Sequence, residues 1–285
     1  MPVLMVNFVE INGARLAYQI CGPEDAPLII TLHGGRGFGD HRSDYKAYSP
    51  LGDKYRVLSF DYRGHGQSSP TKPYTFEQIV DDVDAVRQHF AGADAKVIIC
   101  GGSFGGFLAQ HYAIKYAQHV SYLLLRGTAP SYHQEDDAIK VLEQRISRAP
   151  SFSVNMLKNK VFGAFESDLE FRLVHLAMLP LYSETFDPDA ALSSVLDNVY
   201  NAESHNDLYS EQEKYFDYRE KLHLITAKTL VIVGDKDWIC PPENSKYIAS
   251  KVPNAELFIV QNANHGVHLE KNDEVLNKIR VHLAS

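Results

Sequence analysis

The stretch Gly101-Gly102-Ser103-Phe104-Gly105 limits what this chain can fold into more than any other. An apolar run, Ala95-Lys96-Val97-Ile98-Ile99-Cys100, precedes it and reads as a buried strand. Phe107-Leu108-Ala109-Gln110-His111-Tyr112-Ala113 follows and reads as a helix laid against that strand. Strand must therefore become helix within a few residues, on a turn so sharp that side chains beside the serine would collide. Glycine removes the Cβ that would do so. Such a turn lifts the Ser103 hydroxyl clear of a sheet and points a helix N-terminus, with its partial positive charge, at the reacting atom. The five-residue pattern is weak by itself, because small residues recur in ordinary turns. The flanking strand and helix make Ser103 a candidate nucleophile.

The rest of the chain supplies a frame for that turn. Val6 to Ile11, then Asn12-Gly13, then Ala14 to Ile20 reads as a hairpin closed by a tight Asn-Gly turn. Leu28-Ile29-Ile30-Thr31-Leu32, Val57-Leu58-Ser59-Phe60 and Val120 to Leu125 are near-continuous apolar runs, suited to strands buried on both faces of a parallel sheet. A helix should start near Thr75, with Thr75 as cap and Gln78 as capping-box partner, because Ile79, Val83 and Val86 repeat at helical spacing. From about Ser131 to about Tyr218 strand-like runs vanish, and Ala138 to Arg148, Leu169 to Met178 and Ala190 to Ala202 read as helices. Alternation then resumes with Thr229 to Gly234, a helix after Pro241-Pro242, the strand Glu256 to Val260 and a last helix ending near His282. The expected organisation is a mostly parallel α/β sheet domain in two parts, 1–130 and 219–285, with a helical cap inserted at 131–218.

Bulk properties exclude several function classes. The 285 residues are 45% hydrophobic and 22% charged, as in a globular protein, and long enough to bury most of their surface. A net charge of −8, with the acidic residues scattered, disfavours nucleic acid and anionic membranes as partners. Cys21, Cys100 and Cys240 are odd in number and far apart, which suggests no disulfide framework and a reducing compartment. The opening Met1-Pro2-Val3-Leu4-Met5-Val6-Asn7 lacks a basic region and a long apolar core, so a cytoplasmic location is expected. The thirteen histidines show no metal-ligand spacing, and no metal or cofactor is expected.

Acyl transfer at a serine needs a base, a carboxylate to orient that base, and donors for the oxyanion. The candidate base is His265, on a loop after the last strand; His268 is a rival, though it should fall within the following helix. The candidate acid is Asp237, with Asp235 as competitor on the same loop after the penultimate strand. The donors would be the Phe104 amide and an amide of His33-Gly34-Gly35-Arg36-Gly37, for which Gly35 is the choice. His33 reads as an orienting, structural histidine. Asp61-Tyr62-Arg63-Gly64-His65-Gly66-Gln67-Ser68, at the end of the fourth strand, reads as a buttress for neighbouring loops.

Together, His33-Gly34-Gly35, Asp61-x-Arg63-Gly64-x-Gly66-x-Ser68, Gly101-x-Ser103-x-Gly105, Gly234-x-x-Asp237 and the late His265 resemble the α/β-hydrolase superfamily along nearly the whole chain. Within it the chain is most similar to the prolyl iminopeptidase group, serine aminopeptidases that remove N-terminal proline. That group shows H-G-G-P-G and G-G-S-W-G; here Arg36 replaces the proline and Phe104 the tryptophan. The resemblance implies an α/β-hydrolase fold of about eight strands with helices on both faces, no cofactor, and a small-molecule substrate. It also implies a glutamate that binds the substrate's free amine, and Asn201-Ala202-Glu203-Ser204-His205-Asn206 nominates Glu203. The implied activity is acyl-enzyme hydrolysis of a small amide, with a carboxylesterase or lactonase on a small apolar substrate as the alternative. A ligand receptor with little turnover is the reading from another class.

Overall fold

The computed structural model describes residues 6–285; the amino-terminal reading above that rests on Met1 to Met5 lies outside them. In chain order the elements are β1 (Asn7–Ile11), β2 (Ala14–Cys21), β3 (Leu28–Leu32), α1 (His41–Tyr48), β4 (Arg56–Phe60), α2 (Phe76–Ala91), β5 (Val97–Gly102), α3 (Phe104–Lys115) and β6 (Val120–Arg126). There follow α4 (Gln134–Arg145), α5 (Val154–Met156), α6 (Asp168–Met178), α7 (Pro188–Asp197), α8 (Ala202–Leu208) and α9 (Glu211–Lys214). β7 (Lys228–Gly234), α10 (Pro242–Lys251), β8 (Ala255–Val260), α11 (Val267–Glu270) and α12 (Asn272–Leu283) complete the chain.

The eight strands form one sheet in the order β1-β2-β4-β3-β5-β6-β7-β8. β1, β2 and β4 pair antiparallel and every later pairing is parallel. The first hairpin closes at Ile11 and Ala14, with Asn12 at φ 48° and Gly13 at φ 77°, the left-handed pair that an Asn-Gly turn provides. The central strands bury both faces, as continuous apolar runs require. Ile30, Ile99 and Leu125 pack towards α2, α3 and α10, while Ile29, Ile98 and Leu124 pack with residues of α1 and α12. The sheet is thereby covered on both sides. The α4–α8 stretch has its own core, in which Phe165, Phe171, Met178 and Tyr200 meet Trp238 and Cys240 from the loop after β7.

Two local expectations need correction. Thr75 caps α2 by accepting from the Gln78 amide at 3.2 Å, but the Gln78 side chain does not reach back; its amide donates to Asp82 Oδ1 at 3.0 Å instead. The single helix expected over Ala190 to Ala202 is two. α7 stops at Asp197, Asn198 turns extended, Tyr200 bridges to Phe38, and Asn201 accepts from Ser204 N to cap α8. An asparagine that can start a new helix costs little where tertiary pairing interrupts the old one.

Candidate active site

Strand β5 delivers Ser103 to the point where α3 begins. Ser103 has φ 52° and ψ −121°, a backbone state that non-glycine residues rarely adopt and that marks strain. The surroundings hold it there: Ser103 N donates to Arg126 O at 2.9 Å and its carbonyl accepts from Thr128 Oγ1 at 2.9 Å. The flanking glycines are required by contact. A Cβ on Gly101 would lie 2.3 Å from Gly105 O, and one on Gly105 would lie 1.9 Å from Leu32 O. No larger residue lets β3, β5 and α3 approach so closely.

Two loops complete the arrangement. After β7, Asp237 is buried and fixed on both oxygens. Oδ1 accepts from the Ile239 and Cys240 amides at 3.1 and 2.9 Å, and Oδ2 lies 2.8 Å from His265 Nδ1. A carboxylate only accepts, so Nδ1 carries a proton, and in the neutral ring the lone pair is on Nε2. After β8, His265 is held by its own amide donating to Asn264 Oδ1 at 2.8 Å, while Asn264 Nδ2 donates to Leu181 O and Glu184 Oε1. Tyr182 packs edge-on against the imidazole at 5.5 Å between ring centroids. Asp235, the competitor, instead accepts from Ala263 N at 3.2 Å and pairs with Lys236. His268 lies in α11, with Nε2 3.3 Å from Asp44 Oδ1; burial pushes its imidazole down to about 4 and keeps it neutral.

Ser103, His265, Gly35 and Phe104 all line one cavity of about 700 Å³ between the sheet's carboxyl edge and the helices that follow β6. Among the described residues no hydrogen bond to Ser103 Oγ is present; such contacts often form only with substrate bound. Phe104 is the first residue of α3, so its amide has no partner within the helix. Gly35 has φ 90°, and its neighbour Gly34 is seated against the elbow, where an added Cβ would stand 3.1 Å from Ser103 Cβ.

The Asp61–Ser68 segment supports that glycine loop. Asp61 Oδ1 accepts from His41 N and Nδ1 at 2.6 and 2.7 Å, and Oδ2 accepts from Gln67 N. His65 Nδ1 donates to Arg63 O and its Nε2 accepts from the Gly37 amide at 2.8 Å, an arrangement that needs the neutral ring; burial lowers it to about 3. Asp61 and Arg63 do not pair with each other. Arg63 forks onto Asp82 of α2, Nε to Oδ2 at 2.6 Å and Nη2 to Oδ1 at 2.8 Å. His33 is buried and stacked on Tyr62 at 4.1 Å, with Nδ1 2.8 Å from the Gly34 carbonyl and Nε2 without a partner among the described residues.

Glu203 is not brought to the site. Its side chain is 62% exposed on the outer face of α8, with Oε1 2.8 Å from Lys72 Nζ, and it does not line the cavity. Two residues further round the same helix, His205 turns inward and lines the cavity, its ring nitrogens facing Arg36 O and Lys160 O. The helical period sets this: positions two apart lie on opposite sides. Sequence reading missed Asn264, Arg126 and Asp44 beside the site. Arg126, a charge ending an otherwise apolar strand, was the available signal.

The fold and the seating of the elbow at the carboxyl edge of a doubly covered, mostly parallel sheet define an α/β hydrolase. A family model described as alpha/beta hydrolase fold matches residues 27–272, and the chain belongs to that family. Within it the chain is 76% identical over 279 residues to the proline iminopeptidase PfmaB of Pestalotiopsis fici, covering 98% of this chain and 99% of that protein. It is also 25% identical to 3-oxoadipate enol-lactonase 1 of Acinetobacter baylyi, over 93% of this chain and 91% of that one. Among solved structures, the meta-cleavage product hydrolase CumD of Pseudomonas fluorescens aligns with a TM-score of 0.77 at 20% identity, over 98% and 97% of the two chains, a likeness of fold. No helix of the described residues is long and apolar enough to cross a membrane, and no group of metal-ligating side chains is present among them.

Proposed function

We propose that this protein is a cofactor-free serine hydrolase of the prolyl iminopeptidase type. The observation that carries the reading is the Asp237–His265 pair, 2.8 Å apart, whose imidazole lines the same cavity as a serine held in a strained elbow; the 76% identical proline iminopeptidase supports the type. His265 Nε2 takes the proton of Ser103 as Oγ attacks the substrate carbonyl. Asp237 holds the ring and offsets the charge of the imidazolium that forms. The Gly35 and Phe104 amides stabilise the oxyanion. His265 then protonates the leaving group, and activates the water that releases the acyl group. Residues 131–218 act as the cap over the core segments 1–130 and 219–285, with Tyr182 and Phe171 among its contributions to the cavity wall. The partner is a small-molecule substrate, and the three free cysteines fit a cytoplasmic setting.

A carboxylic ester or lactone substrate is the second reading. It is favoured by the exposed position of Glu203, which leaves the amine-binding role without the residue nominated for it. Labelling of Ser103 by a fluorophosphonate, lost in Ser103→Ala, tests the hydrolase. Comparing proline p-nitroanilide with short p-nitrophenyl esters separates the two substrate classes. An unlabelled, inactive protein that binds ligand tightly would overturn both in favour of a receptor.

A further inference from the structure

Arg36 stands where the prolyl iminopeptidase pattern has proline, directly after Gly35 on the oxyanion loop. Its side chain is 4% exposed, yet it lines the cavity that holds Ser103. The guanidinium lies 4.0 Å from the ring centroid of Tyr209, with the Phe76, Phe104, Phe107 and Phe216 rings 5.2 to 5.6 Å away. Nη1 donates to Leu208 O at 3.2 Å. Nε and Nη2 are buried and have no partner among the described residues. A buried charged donor left unpaired is costly, and native structures rarely tolerate it without a purpose.

The two free nitrogens form one edge of the guanidinium. That is the edge with which Arg63 grips Asp82 in this same molecule, Nε to one carboxylate oxygen and Nη2 to the other. Planar two-point recognition of a carboxylate is what such a fork suits best. Two carboxylates feel the charge of Arg36 without bonding to it: Glu135 pairs with Lys214 through Oε2 at 3.4 Å and leaves Oε1 buried without a partner among the described residues, and Glu213 accepts from Phe76 N at 2.7 Å. The aromatic surround adds to the effect, since excluding water strengthens a charge-assisted contact.

We propose that the substrate of this enzyme carries a carboxylate, which docks side-on against Nε and Nη2 of Arg36, a residue of the Ser103 cavity wall. Arg36 is a specificity-determining residue that sets an anionic substrate class. The inference rests on the hydrolase reading for where catalysis happens, but the anion site itself needs no turnover.

The test pairs charged and neutral substrates of matched size. p-Nitrophenyl hydrogen glutarate against p-nitrophenyl valerate places the charge on the acyl side; 4-acetoxybenzoate against phenyl acetate places it on the leaving group. In one of the pairs the wild type should prefer the anion, and Arg36→Gln should reduce the charged-to-neutral ratio of kcat/KM about 10- to 100-fold. Arg36→Lys keeps the charge and loses the fork, so it should restore only part of the ratio and guards against a Gln variant that folds poorly. No anion preference in either pair, or a ratio unmoved by both substitutions, overturns the proposal. Calorimetric binding of glutarate to wild type and to both variants separates this from failure of the hydrolase reading. Should Ser103 refuse fluorophosphonate, at least tenfold weaker glutarate binding by Arg36→Gln still supports the anion site, and equal binding sinks it.

Discussion

Asp237 Oδ2 lies 2.8 Å from His265 Nδ1, while Oδ1 of the same carboxylate is occupied by the Ile239 and Cys240 amides. The loop after β7 therefore dictates which way the imidazole faces. An amide in place of the carboxylate would keep the shape, yet it can present an NH2 group towards the ring and favour the wrong tautomer. Asp237→Asn should lower kcat for p-nitrophenyl acetate by about 10³- to 10⁴-fold with little change in KM. Asp235→Asn, whose carboxylate serves only Ala263 N and Lys236, should keep most activity. Comparable losses in the two variants would undo the assignment of the acid.

Glu203 makes a surface ion pair with Lys72 and points away from the cavity. Surface substitutions of this kind usually shift energies by no more than about 0.5 kcal/mol. Glu203→Gln should then change kcat/KM for proline p-nitroanilide by about twofold at most, measured in initial-rate assays at equal protein concentration. A loss of tenfold or more, with the ester rate retained, would return Glu203 to the amine-binding role the family resemblance gave it.

Gly101 meets the carbonyl of Gly105 so closely that a methyl group has nowhere to go. Gly101→Ala must push α3 off β5 and β3, and the serine with it. Overpacking of this kind costs about 1–3 kcal/mol. A urea titration should show the midpoint falling at unchanged slope, together with slower fluorophosphonate labelling. Wild-type stability and labelling in the variant would mean that the elbow has slack the contacts do not indicate.

The buried Arg63–Asp82 fork ties the turn after β4 to α2, with both side chains at 2% exposure or less. Removing one partner strands a charge in the interior, a loss of about 3–5 kcal/mol. Asp82→Ala should show that loss in the urea midpoint. The glycine loop, braced through His65 and Gly37, should loosen with it, slowing Ser103 labelling as a second signature. Full stability in Asp82→Ala would rule out the fork as a brace.

Much of this arrangement was legible in the residues because local physics determined it. The apolar runs, the Asn12-Gly13 turn and the glycines around Ser103 each admit few backbone solutions, and the eight-stranded sheet follows from them. The chain order of Ser103, Asp237 and His265 follows from the sheet topology. What could not be read were choices made across the fold. Asp235 and Asp237 are alike in sequence, and only the approach of the His265 loop separates them. Glu203 and His205 share one short helix, and its facing depends on what packs there. Arg63 lies beside Asp61 in sequence but finds Asp82, nineteen positions on. The unpaired edge of Arg36 sits among five aromatic residues from α2, α3 and the segments after α8 and α9, and no local pattern announces it.

Several histidines are buried neutral, and that makes the fold sensitive to acid. His175 offers the simplest case. Its Nδ1 lies 2.6 Å from the Tyr200 hydroxyl, Phe38 packs 4.5 Å from its ring, and burial alone pushes it down to about 4. His268 is likewise held at about 4, and His65 and His205 at about 3. An unfolded histidine titrates near 6.5, so between pH 6.5 and about 4 the unfolded chain binds protons that the folded one refuses. Stability is therefore complete above pH 6.5 and falls as the pH drops through that window. For His175 the loss reaches on the order of 3 kcal/mol by pH 4. Urea midpoints measured from pH 7.5 to 4 should decline steadily below 6.5, and His175→Gln, less stable at pH 7.5, should decline less steeply. A midpoint flat across that range would mean that these rings take up protons in the folded state as readily as in the unfolded chain.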